Sequence, residues 1–175
     1  MEIKGYLHLY WGDGKGKTTA AAGLALRALG QRLPTVFLQF LKDGQSGELE
    51  PLRRLGAAVL SGEPGMKFVF QMTEAEKAKL KARQDRMLRE AVSRLPAEGR
   101  ALLVLDEACA ALQTGTLSEP LLRETVLRRP PGWEVVLTGR DPAGWMREAA
   151  DYATEMRCTA HPFDRGIPAR RGIEY

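Results

Sequence analysis

Cysteine is almost missing from this chain: Cys109 and Cys158 are the two in 175 residues, far apart and with no C-x-x-C pair. That excludes a disulfide framework and a zinc site built on cysteine. Both thiols are expected in the core as small hydrophobes. Histidine is as scarce: His8 and His161 have no evident Ser or Cys partner, so no nucleophilic triad can be assembled. No apolar run reaches the length of a membrane span, and the opening MEIKGYLHLYWG lacks the apolar stretch of a signal peptide. The expected setting is a reducing cytoplasm, with no membrane partner. Charge of one sign is also lacking. A net charge of +4 suits an anionic ligand such as a nucleotide, and it falls short of what a nucleic-acid binder carries.

What is present is ordinary in amount and particular in arrangement. Hydrophobic residues make up 44% and charged residues 27%, as in soluble globular proteins. A single domain over residues 1–175 is expected, large enough to bury a core. Tyr6 to Trp11 reads as a buried strand, and YWGDGKGKTT (10–19) follows directly from it. Thr18 to Leu29 is rich in Ala and Leu, stops at Gly30 and reads as a helix. Thr35 to Phe40 reads as a second buried strand. This order places the glycine loop at the carboxyl edge of a parallel sheet.

Further along, Glu48–Leu55 reads as a short helix and Ala57–Leu60 as a short strand. Thr73 opens a long helix to about Leu95, with Glu76 at capping-box spacing. Ala101–Leu105 is a buried strand that ends in Asp106 and Glu107. Ser118–Leu127 reads as a helix, Glu134–Leu137 as a strand, Asp141-Pro142 as a helix start, and Asp151–Arg157 as a last strand. The expected class is α/β: a P-loop NTPase-like, mostly parallel sheet flanked by helices on both faces.

Glycines let backbone N–H groups converge on an anion, and the helix that follows adds its positive N-terminal end. Gly12, Asp13, Gly14, Lys15, Gly16, Lys17, Thr18 and Thr19 therefore read as a polyphosphate cradle. Lys17 would neutralise phosphate charge, and the Thr18 hydroxyl would face a magnesium ion. Trp11 stands where the usual loop has its first glycine. Asp106 and Glu107, at a strand end, are the candidate partners for the metal. Their oxygen chemistry favours Mg2+. Arg140 follows another strand on the same edge and suits a phosphate or a ribose. Phe68 and Phe70 share one face if MKFVFQM is extended, and core packing is their plain reading. From the residues alone the chain is a magnesium-nucleotide-binding P-loop protein.

The combination of GDGKGKTTAA (12–21), LALRALG (24–30), FLQFLKDG (37–44), KFVF (67–70), LLVLDE (102–107), LTGRD (137–141), ADYATEM (150–156) and HPFDRGIPARRGIEY (161–175) resembles the P-loop ATP:corrinoid adenosyltransferases. The resemblance covers nearly the whole chain. It implies transfer of the 5′-deoxyadenosyl group of ATP to the Co(I) of a reduced corrinoid (cobalamin or a precursor), with release of triphosphate. ATP is then a co-substrate, the corrinoid a substrate and Mg2+ the cofactor. It implies that residues Gly12 to Thr19, Arg27 and Arg140 contact the nucleotide, and that Thr18 and Glu107 hold magnesium with Asp106 beside them. Lys17, Thr18 and Glu107 carry the catalytic charge stabilisation. Phe68 and Phe70 take the place of aromatics that press on the lower face of the corrin and displace its axial ligand; relatives can carry Trp at the second position. A homodimer and a reductant protein are the implied partners. Some members have an N-terminal arm that closes over the corrinoid, whereas only Met1 to Gly5 precede the strand here. The arginine-rich tail (Arg165, Arg170, Arg171) or a partner is expected to contribute that cover. The rival readings are a P-loop NTP hydrolase or kinase, which would release inorganic phosphate, and a nucleotide-binding subunit without turnover.

Overall fold

A computed structural model describes residues 4–174. Tyr175, which closes the R-G-I-E-Y motif, and Met1–Ile3 ahead of the first strand lie outside the described residues.

Six strands form one sheet: β1 Leu7–Trp11, β2 Thr35–Gln39, β3 Ala58–Leu60, β4 Ala101–Asp106, β5 Trp133–Gly139 and β6 Tyr152–Glu155. Their order across the sheet is β3-β2-β4-β5-β1-β6, and every adjacent pair is parallel. The helices are α1 Lys17–Gly30, α2 Leu49–Arg54, α3 Glu74–Ser93, α4 Ala108–Gln113, α5 Glu119–Leu127 and α6 Gly144–Ala149.

The inner strands are apolar at successive positions because both of their faces are covered. Phe37, Leu102, Val104 and Val136 point to one face, where they meet Ala21, Ala25 and Ala28 of α1 and Leu49 and Leu52 of α2. The intervening residues Val36, Leu38, Leu103, Leu105, Val135 and Leu137 point to the other face. There they meet Leu88 and Ala91 of α3, Leu122 and Val126 of α5, and Met146 of α6. Three alanines on α1 give a smooth surface that lets the helix lie close to the sheet. A parallel sheet also sends the carboxyl ends of all its strands to one edge, and the loops that matter gather there.

Elements differ from expectation at four places. Asp141-Pro142 does not start the helix. Ala143 is the N-cap of α6 with extended backbone, and the Asp141 carbonyl accepts a hydrogen bond from Gln113 Nε2 at 3.0 Å. The segment around Phe68 and Phe70 is not extended: Val69–Gln71 forms a 3-10 turn, closed by Gln71 N–H to Phe68 O and Met72 N–H to Val69 O. A short helix, α4, follows Glu107 where no element was expected. Cys158 is exposed, while Cys109 is buried. At Thr73 the capping box forms as the spacing predicts: Glu76 N–H donates to Thr73 Oγ1, and Thr73 N–H donates to Glu76 Oε2 at 2.8 Å.

Candidate functional site

The glycine loop is held by backbone bonds to its neighbours. Gly12 N–H donates to Arg140 O at 3.1 Å, and Gly14 N–H donates to Met156 O at 2.7 Å. Gly12 has φ 109°, and a Cβ there would lie 2.4 Å from the Met156 carbonyl oxygen. Glycine is required at this position by both conformation and space. Asp13 accepts from Cys158 N–H at 2.9 Å, and this bond above all holds its carboxyl below the usual range. The first half of the loop is thus tied to the ends of β5 and β6. The second half, with the first turn of α1, keeps amides that have no partner within the helix and can face an anion. Trp11 takes no part in the cradle. It packs on the core, with the Arg147 guanidinium 4.4 Å above its ring.

A cavity of about 560 Å³ opens over this second half. Lys15, Gly16, Lys17, Thr18 and Thr19 form its floor, and Glu107 and Arg140 enter from the ends of β4 and β5. Lys17 Nζ donates to Gly14 O at 2.7 Å. Its pKa is lowered, mainly by burial, and Glu107 opposes that effect. A lysine so placed gains a strong partner when a phosphate oxygen arrives.

Asp106 is wholly buried at the end of β4. Its Oδ1 accepts from Thr18 Oγ1 at 2.9 Å and Thr138 Oγ1 at 2.7 Å, and its Oδ2 accepts from Gln39 Nε2 at 3.2 Å. Burial pushes its carboxyl up to about 6 against these bonds. Asp106 lies behind the cavity wall and orients Thr18 from there. Because the Thr18 hydroxyl gives its hydrogen to Asp106, its lone pairs are free on the cavity side. Glu107 has a left-handed backbone (φ 60°), anchored by its N–H to Thr138 Oγ1 at 2.9 Å. That turn brings the Glu107 carboxylate into the cavity. Among the described residues no three His, Cys, Asp or Glu side chains form a metal cage. Thr18 and Glu107 offer an incomplete all-oxygen set. Such a set fits magnesium, which keeps water and takes substrate phosphate oxygens as ligands.

Nine further lining residues were not expected at the site: Ala22, Gly47 and Gly172, and the six that follow. Lys42, Ser46 and Glu48 come from the loop after β2, and His161, Ile173 and Glu174 from the carboxy-terminal segment. Glu48 accepts from Gln39 Nε2 at 2.7 Å, so the buried Gln39 bridges it to Asp106. Lys42, His161, Ile173 and Glu174 lie within the motifs 37–44 and 161–175 that carry the family resemblance, but nothing in the residues themselves gave them a role. Gly12, Asp13, Gly14, Arg27, Asp106, Phe68 and Phe70 do not line the cavity. Arg27 stands ten residues beyond Lys17, about 15 Å along the helix, and its charge is felt by Tyr10. Phe68 and Phe70 are exposed at 70% and 82%, which overturns the core reading. Their rings stack on each other, 5.5 Å apart and 13° from parallel, on the loop that leaves the carboxyl end of β3. Arg165 and Arg171 are exposed, and Arg170 is bound to Glu174 within the tail.

A parallel six-stranded sheet with G-K-T at the head of α1 and an acidic pair closing a neighbouring strand defines an α/β protein of the P-loop NTPase type. Comparison with known proteins is narrower: the family model described as ATP:corrinoid adenosyltransferase BtuR/CobO/CobP matches residues 3–175, and the chain belongs to that family. A corrinoid adenosyltransferase of Pseudomonas aeruginosa is 34% identical over 98% of this chain and 84% of its own length. That of a Sinorhizobium species is 31% identical over 98% and 81%. The Salmonella typhimurium enzyme is 31% identical over 100% and 88%.

Proposed function

We propose that the protein transfers the 5′-deoxyadenosyl group of ATP to the cobalt of a reduced corrinoid and releases triphosphate. The observation that carries this reading is a shared sheet edge. The lysine-lined cavity opens at that edge, and the loop that carries the exposed Phe68–Phe70 pair leaves β3 at it too, in a chain that matches the adenosyltransferase family over residues 3–175.

The chemistry asks little of acid or base groups. Co(I) of the substrate is the nucleophile and forms a bond to the ribose 5′ carbon. The C–O bond to the triphosphate breaks, and both electrons leave with the triphosphate. No proton has to be removed from the attacker, so the protein acts by positioning and by stabilising charge on the leaving group. Lys17, Arg140 and the amides of the first turn of α1 would bind the triphosphate. Lys15 and Lys42 add positive charge at the rim. Magnesium, when bound, adds further positive charge at the leaving triphosphate; Thr18 and Glu107 would hold it, with Asp106 fixing Thr18. Gly12 to Gly14 act by shaping the loop. Phe68 and Phe70 offer an apolar platform for the corrin, and Arg27 is a nucleotide contact only for a ligand that extends well beyond the cavity. A homodimer and an electron donor complete this reading. No described helix is long and apolar enough to cross a membrane.

The test is anaerobic: protein, magnesium-ATP and chemically reduced cob(I)alamin, with the cob(I)alamin absorbance followed while triphosphate is assayed. Adenosylcobalamin and triphosphate in equal amounts are expected, and Lys17→Ala should abolish both. Inorganic phosphate without adenosylcobalamin would replace this reading with a hydrolase. ATP binding with no product would replace it with a binding subunit.

A further inference from the structure

We infer that His161 is a phosphate-chain ligand of the nucleotide site, donating from Nε2 while its other ring nitrogen fixes the carboxy-terminal segment in place. This inference rests on the cavity being a nucleotide site and adds to it a residue from a different part of the chain.

The ring's two nitrogens have separate duties. His161 is the N-cap of a 3-10 turn, Pro162–Arg165, and its Nδ1 accepts a hydrogen bond from Phe163 N–H at 3.1 Å. A backbone N–H can only donate, so Nδ1 carries no hydrogen there. In a neutral imidazole the hydrogen must then sit on Nε2, and Nε2 is a donor. Among the described residues Nε2 makes no hydrogen bond, and the side chain lines the cavity.

The surroundings explain why a neutral donor suits this place. Lys15, Lys17, Lys42 and Arg140 already line the same space, against the carboxylates of Glu48, Glu107 and Glu174. A further fixed cation would add repulsion to the empty cavity. A neutral N–H adds none, and it still pairs with a phosphate oxygen when the polyphosphate is bound. The capping bond also sets where the ring stands. His161 enters the cavity from the tail and Lys15 from the glycine loop, so the bound phosphate chain would be held by groups from two separate segments.

The two duties can be separated by substitution. Asparagine reproduces an acceptor at the Nδ1 position and caps well, but its side chain is too short to donate from the Nε2 position. Glutamine places an amide N–H near Nε2 and loses the cap. Binding of inorganic triphosphate with magnesium is measured by calorimetry for the native chain, His161→Asn, His161→Gln and Lys17→Ala. A hydrogen bond to a charged group predicts a dissociation constant raised about tenfold or more in His161→Asn. In His161→Gln it should stay within about threefold of native. The reverse order, with Asn near native and Gln impaired, would mean that His161 only caps the tail and would overturn the inference. Equal, native-like binding in both variants would overturn it too. If the native chain binds neither triphosphate nor ATP, the nucleotide-site reading itself fails, and that outcome is distinct from the other two.

Discussion

Asp106 shows how a residue outside the cavity can order one that lines it. Its carboxylate is buried behind Thr18, and burial raises its pKa from 3.8 to about 6. The sign of the consequence follows from linkage. A carboxyl whose folded pKa lies above its unfolded value favours the fold while protonated, so its contribution fades as pH rises through about 6. Replacing it with Asn removes that titration. Between about pH 4 and pH 7 the stability of the nucleotide-free native chain should fall relative to Asp106→Asn by about 2 kcal/mol, measured by urea unfolding of both. A difference that does not change with pH would show that this carboxyl titrates at its ordinary value. The residues facing the cavity from the loop were legible in the sequence, because G-K-T after a strand admits few other readings. Glu107 was legible as one of an acidic pair. The division of labour within the pair was not legible, since it depends on a left-handed turn at Glu107 that sends two adjacent side chains in opposite directions. His161 and Glu174 could not be placed, because nothing local in the tail says what it lies across.

At the scale of elements, the site depends on how closely β5 and α4 approach. Gly139 ends β5, and a Cβ there would lie 2.3 Å from Cys109 Cβ on α4. Gly139→Ala should therefore push α4 away and carry Glu107 with it. The expected loss is about 1–3 kcal/mol of stability, read by thermal unfolding, together with weaker magnesium-ATP binding. Unchanged ATP binding would show that Glu107 is positioned independently of α4. The loop between β3 and α3 behaves in the opposite way. Phe68 and Phe70 are exposed, so replacing each with Ala should move stability by no more than about 0.5 kcal/mol. ATP affinity should be unchanged, while adenosyl transfer to the corrinoid falls. Loss of ATP binding in these variants would sink the assignment of the pair to the corrinoid. The inner strands β1, β2, β4 and β5 and the long helices were legible here because their apolar patterns are long. The F-V-F alternation also fits a strand, yet the chain turns at Val69 to enter the capped start of α3, and the rings stack by turning rather than by alternating. Helix α4 is short, and its alanines and cysteine give no periodic signal of their own.

At the scale of the whole molecule, the cavity joins segments that are far apart in the chain: the loop at 15–19, the loop at 42–48, Glu107, Arg140, His161 and the tail at 172–174. The fold explains half of this convergence, since a parallel sheet delivers β1, β2, β4 and β5 to one edge. The rest depends on the tail, which leaves the edge strand β6 and returns across the loop, where its Glu174 feels the charge of Lys15. A ligand held by groups from so many segments should act as a clamp on the native state. Anything that binds only the folded form stabilises it by mass action, about 2.7 kcal/mol at a hundredfold excess over its dissociation constant. For a chain of this size about 1 kcal/mol moves the melting temperature by about 2–4 °C. Magnesium-ATP at that excess should therefore raise Tm by about 5–11 °C. Inorganic triphosphate should reproduce most of the shift, because the groups that face the cavity are those that bind phosphate. Lys17→Ala should lose the shift at the same ligand concentration. If adenosine alone gave the full shift and triphosphate none, the cavity would be a nucleoside pocket, and the assignment of its lysines to the leaving group would have to be abandoned.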